Sequence, residues 1–125
     1  MTAMTNRCGV AFLLVGWFAL AGCGDDITSQ MSARDAATKH ICDRAQTCGL
    51  IGAGLTYQNR DDCDVKQRDN WQTQWPPSEC DGHIDQTQLN ACLTNIDAIQ
   101  CSDIGAGLLS VALTCGKARV CSANL

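Results

Sequence analysis

Asp85-Gln-Thr-Gln-Leu89-Asn-Ala-Cys92-Leu93-Thr-Asn-Ile96 is the stretch that decides the fold. Its apolar residues, Leu89, Cys92, Leu93 and Ile96, stand at i, i+3, i+4 and i+7. That spacing puts all of them on one face of an α-helix and scatters them over both faces of a strand. Asp85 opens the segment as an N-cap, reinforced by Gln88 three residues on. The pattern predicts a helix with one buried stripe, and the stripe contains a cysteine.

The neighbouring segments read the same way. Upstream, Asn59 caps a helix predicted from Arg60 to Gln74, which Pro76-Pro77 ends because proline has no amide to donate. Its apolar content is sparse: Cys63, Val65, Trp71 and Trp75. Before it, Ser32-Ala-Arg-Asp35 resembles a capping box and starts a helix running to Thr47. Ala37, Ile41, Ala45 and Cys48 form the stripe of that helix, and Gly49 stops it. Leu50 to Leu55 reads as a loop, as does Ser78 to Ile84, with Asp81-Gly82 as a turn. Downstream, Ile104 to Cys115 is apolar nearly all round, the pattern of the most enclosed helix in a bundle. Gly116 ends it, and the tail Lys117 to Leu125 is expected to be pinned by Cys121. No alternating run supports a sheet. The expected fold is all-α, a small disulfide-rich bundle of about four short helices.

There is one internal echo. Cys48-Gly-Leu-Ile-Gly-Ala-Gly-Leu55 and Cys101-Ser-Asp-Ile-Gly-Ala-Gly-Leu108 agree except at their second and third positions. Duplication of a two-helix unit would explain it; so would the recurrence of small residues where helices join. The segment lacks the spacing and the lysine of a phosphate-binding loop.

The amino-terminal segment carries an address. Arg7 supplies a positive charge, Val10 to Leu20 an apolar run, and Leu20-Ala21-Gly22-Cys23 looks like a bacterial lipobox. On this reading residues 1–22 are a lipoprotein signal peptide and Cys23 is lipidated. Residues 23–31 are then a lipid-anchored tether, and residues 32–125 are the disulfide-stapled domain. A membrane-spanning helix fits less well: the apolar run is about 15 residues against the roughly 20 a bilayer requires, and Asp25 and Asp26 follow it rather than basic residues. Gly24, not an aspartate, stands directly after Cys23, which leans toward the outer membrane, facing the periplasm or the cell surface.

Cysteine usage agrees with export. The chain has 10 cysteines. Cys8 leaves with the leader and Cys23 takes the lipid. Cys42, Cys48, Cys63, Cys80, Cys92, Cys101, Cys115 and Cys121 remain, an even set in an oxidising compartment, and are expected to pair. Roughly a hundred pairings are possible, and the sequence does not choose among them. Both phenylalanines, Phe12 and Phe18, also lie in the leader, so the domain must build its core from aliphatics, cysteines, Trp71, Trp75 and Tyr57. A core this thin needs covalent help. No C-x2-C pair recurs at zinc spacing, so no metal site is expected.

Net charge is −4 and the basic residues are scattered, so nucleic-acid binding is not expected. Asp61, Asp62 and Asp64 sit at a helix start, where the dipole favours them, and lack the glycine and glutamate of a calcium loop. His40 and His83 are the only histidines. With no nucleophile elbow, no C-x2-C and only Glu79 among glutamates, no catalytic residue and no cofactor is expected. Trp71 and Trp75, four apart, share a helix face. They are either a platform for a ligand, with Tyr57 as a further candidate, or the bulk of a core that lacks phenylalanine.

One resemblance spans about residues 40–122. It rests on Cys42-Asp-Arg-Ala45, Cys48-Gly49, Gly54 with Tyr57, Arg60-Asp-Asp-Cys63 and Trp71 to Pro76. It continues through Cys80-Asp-Gly82, Ile84-Asp85, Cys92 with Ile96 and Cys101, and the late Cys115 and Cys121. In these the chain resembles short, cysteine-rich myxobacterial lipoproteins catalogued under natural product biosynthesis. Ile104-Gly-Ala-Gly-Leu108 is richer in glycine than that pattern. The resemblance implies an envelope lipoprotein and supplies no active-site residues. The expected function is a non-catalytic module, held to the membrane by its lipid, that binds a protein or small-molecule partner. The alternatives are an accessory enzyme acting on a secreted metabolite and a purely structural envelope protein.

Overall fold

A computed structural model describes residues 27–123. The expected signal peptide, the expected lipidation site Cys23 and the first residues of the expected tether lie outside the described residues. Among the described residues six helices follow in order: α1 (Gln30–Thr47), α2 (Arg60–Gln74), α3 (Pro77–Cys80), α4 (Gln86–Asp97), α5 (Ile104–Thr114) and α6 (Lys117–Val120). The bundle is all-α and held by four disulfides. The four longer helices are those read from the periodicity. The two single-turn helices are additions, each beginning right after a break, at Pro76 and at Gly116.

The caps explain the boundaries. Asp85 accepts from the Gln88 amide at 3.0 Å, and Asn59 from the Asp62 amide at 2.9 Å. The first helix begins earlier than expected. Ser29, not Ser32, is its N-cap and accepts from the Ser32 amide at 3.1 Å. Two serines three apart offer two frames, and burial of Gln30 selects the earlier one. Its amide donates to Asp81 Oδ1 at 3.0 Å, and its Nε2 donates to the Trp75 carbonyl at 2.7 Å. Residues 27–31 therefore belong to the domain rather than to a free tether. Gly49 closes α1 at φ 69°: its amide bonds back to Gln46 and that of Leu50 to Ala45, the paired hydrogen bonds of a Schellman ending.

The architecture has two halves with one layout: long helix, link, long helix, single-turn helix. Cys42–Cys63 staples α1 to α2, and Cys92–Cys115 staples α4 to the end of α5. Cys48–Cys101 and Cys80–Cys121 then join the halves. α1 and α4 pack on each other at the centre, with α2 laid on α1 and α5 on α4. Ala33, Ala37, Cys42, Leu89, Cys92 and Ile96 are all fully buried; Ala37, Leu89, Cys92 and Ile96 lie on the stripes read from the spacing, whereas Ala33 and Cys42 were not on them.

α5 departs from the sequence reading. Of its residues only Val111 is buried, while Leu109 is 64% and Leu113 68% exposed. An apolar helix is enclosed only if neighbours surround it, and this helix packs chiefly on α4. α5 also lies close on the link that follows α4, because Gly107 has no side chain: a Cβ there would stand 2.8 Å from Ile99 Cγ2. The two echoed segments also differ in conformation. Ile51 to Leu55 is a turn in which Gly54 takes φ 77°, whereas Ile104 to Leu108 opens a helix.

Candidate binding groove

α5 leans on α4 and leaves a trough between itself and the α1–α2 half. Its larger part, about 300 Å³, is walled by Ile41 and Arg44 of α1, Leu50 and Tyr57 of the α1–α2 link, and Ile104 and Leu108 of α5. A second depression of about 200 Å³ shares Ile41, Tyr57 and Leu108 and runs on between α2 and α5 past Trp71 to Ala112. The larger part is at the small end of ligand-pocket sizes.

Local chemistry sets each wall. The Schellman ending turns Leu50 back toward Ala45. The Tyr57 amide then bonds to the Leu50 carbonyl at 3.0 Å, and the Gly52 amide to the Tyr57 carbonyl at 2.8 Å, which fixes the link as a closed loop. The Tyr57 hydroxyl accepts from Gln67 Nε2 at 2.8 Å, so the ring is held from α2 as well. Arg44 Nε donates to the Ile99 carbonyl at 2.6 Å, tying α1 to the start of the opposite wall. The Cys48–Cys101 disulfide closes this end of the trough, where Cys48 forms part of the lining.

An ion network on the outer side of α1 and α2 supports the same wall. Arg60 donates to Asp43 at 2.7 Å and to Asp64 at 3.0 Å, and Lys39 donates to Asp43 at 2.5 Å. Hydrogen bonds from Lys39 and Arg60 hold the Asp43 carboxyl below its ordinary range, and those to Asp43 and Asp64 raise Arg60.

Of the expected binding residues, Tyr57 lies on the trough. The tryptophans do not form a surface platform, which corrects one of the two roles open to them. Trp75 is 0% and Trp71 2% exposed, and their rings stack at 4.5 Å. Trp75 Nε1 donates to the Cys115 carbonyl at 2.8 Å, so the indole pins the end of α5 from inside. In a domain with no phenylalanine they are the largest packing volumes, and burial claims them. Trp71 keeps an edge in the lining of the second depression. His40 and His83 sit on different elements. His40 Nδ1 is 2.8 Å from Asp97 Oδ1, and His83 Nδ1 is 3.1 Å from the Ala123 carbonyl.

Arg44, Ile104 and Leu108 were missed as site residues. Arg44 was legible only as a scattered charge, and the α5 residues were expected in the core. Among the described residues, no three His, Cys, Asp or Glu side chains gather as a metal site. No helix there is long and apolar enough to cross a membrane.

With the cysteine framework in place, a family model spans residues 42–123. The chain belongs to DUF6184, a family of unknown function. The DUF6184 match starts at Cys42, the first cysteine of the framework, and extends past Cys121, so it takes in all four disulfides. It also covers both links that wall the trough. No curated protein and no solved structure matches the chain.

Proposed function

We propose that this chain is a lipid-anchored, non-catalytic binding module of the bacterial cell envelope, with the trough beside α5 as its binding surface. The observation that carries the reading is the complete pairing of Cys42 through Cys121 into four disulfides, which belongs to an oxidising compartment. The Leu20-Ala21-Gly22-Cys23 motif supports acylation at Cys23, and Gly24 after it supports placement in the outer membrane. The anchor also fits the domain: Ile27 already bonds through its amide to Gln86 Oε1. About four residues then separate lipid from fold, a reach of roughly 14 Å when extended, which keeps the module at the bilayer surface. The partner is a protein or small molecule, and the likeness to natural product biosynthesis lipoproteins supports a link to secreted metabolites.

Intact mass spectrometry of the membrane-extracted protein tests this. The expected species begins at Cys23, carries a diacylglycerol, and takes up alkylating reagent only after reduction. A protein free of lipid, or one with several free thiols in its native state, overturns the reading.

A further inference from the structure

We propose that the trough takes an amphipathic carboxylate, its aliphatic chain along α5 and its head on Arg44. The inference deepens the binding-module reading above and rests on it.

Among the described residues, Arg44 is the sole charged one in the lining of the larger cavity, which is otherwise aliphatic apart from Thr56, Tyr57 and the Cys48 sulfur. The charge is unspent. Arg34, Arg60, Arg68, Lys39, Lys66 and Lys117 each have a carboxylate partner. Arg44 has none among the described residues, in a chain whose net charge is −4. Arg119, the other cation among the described residues without a carboxylate, stands exposed on α6 and lines neither part of the trough. The Nε bond to the Ile99 carbonyl fixes the plane of the Arg44 guanidinium and leaves its two terminal nitrogens without partners among the described residues. A half-buried guanidinium with that edge free is suited to grip a carboxylate through paired hydrogen bonds.

The rest of the trough fits an unbranched tail. Ile104, Leu108 and Ala112 follow one another along α5 on its open side. They span about 12 Å at the rise of an α-helix, close to the extended length of a chain of about ten carbons. Leu108, 48% exposed and common to both parts of the trough, is the leucine that such a tail covers.

Decanoate and decan-1-ol, titrated by calorimetry into the full chain carrying Cys23→Ser, separate head from tail. The expected result is binding of decanoate more tightly than decanol. Arg44→Gln should weaken decanoate at least tenfold and leave decanol unchanged, which also reports an intact trough. Leu108→Glu, at a half-exposed position that tolerates a polar residue, should abolish decanoate binding. Equal decanoate affinity in Arg44→Gln, no decanoate binding by the parent chain, or retained binding in Leu108→Glu overturns the proposal. So does self-association through α5 that Leu109→Asp abolishes and decanoate leaves untouched. Loss of decanoate binding with acylation at Cys23 intact defeats the ligand assignment alone. Absent acylation with decanoate binding retained defeats the anchor alone.

Discussion

Cys48 and Cys101 are bonded to each other across 53 residues, and each is the first residue of one copy of the same eight-residue segment. The echo in the sequence is thus a point of attachment between two similarly laid-out halves. Each half also carries a staple of its own, Cys42–Cys63 in one and Cys92–Cys115 in the other.

This bond should be the first to open. Cys101 is exposed and Cys48 half-buried, whereas Cys42, Cys63, Cys92 and Cys115 are fully buried. Thiol attack depends on access. Under limiting reductant, alkylation and peptide mapping should find Cys48 and Cys101 labelled before any other pair. Earlier labelling of Cys92 and Cys115 would contradict the burial order. Replacing both Cys48 and Cys101 by serine should lower unfolding stability by about 2–4 kcal/mol in chemical denaturation.

Gly107 should not tolerate a methyl group. Its neighbour Ile99 is packed inside the domain, so a Cβ can be relieved only by moving α5 outward. Gly107→Ala is expected to cost about 1–3 kcal/mol, the range for overpacking, although alanine is the better helix former. Gly105, with nothing within 4 Å of an added Cβ, is the control: Gly105→Ala should be neutral or stabilising. Thermal melts of the two variants decide the matter, and equal behaviour would remove the close-approach argument.

Trp75 should matter for its nitrogen as well as its volume. Trp75→Phe keeps most of the ring and leaves the Cys115 carbonyl without that partner, at about 1–3 kcal/mol. Trp75→Ala should cost about 3–5 kcal/mol. A Trp75→Phe protein as stable as the parent would show that the indole acts by bulk alone.

Acid should weaken the outer network before the core. The folded Asp43 carboxyl is held below its unfolded value, so its contribution is present above about pH 4 and is lost as pH falls through the lower, folded value. Asp43 is about half exposed, which limits the effect to below about 1 kcal/mol. Asp43→Asn should remove that contribution, lowering stability near neutrality by less than about 1 kcal/mol and leaving the most acidic values unchanged, so that the profile flattens below about pH 4. An unchanged acid limb in that variant would count against the network.

Much of the fold was legible because α1, α2 and α4 obey local rules. Stripes at helical spacing, Asn59 and Asp85 as caps, and Gly49 as a stop all act within a few residues of themselves. The trough was not legible, because it depends on what fails to pack. Leu108 and Leu109 look like core on a helical wheel, and what leaves them outside is that no described residue packs beyond α5. The tryptophans posed the reverse problem: their spacing fits a platform and a core equally, and the scarcity of other large side chains decided for the core. The disulfide map was beyond reach for the same reason, since pairing is a statement about distances across the domain.

Gln30 gives the entry of the chain into the domain a mechanical character. Its side chain is anchored on the carbonyl of Trp75, and its backbone on Asp81, next to Cys80. Drag on the leader side therefore falls on a covalently cross-linked corner instead of peeling the first helix turn by turn. Under the proposed anchoring at Cys23, tension from that end would meet this corner before it could begin to unravel α1.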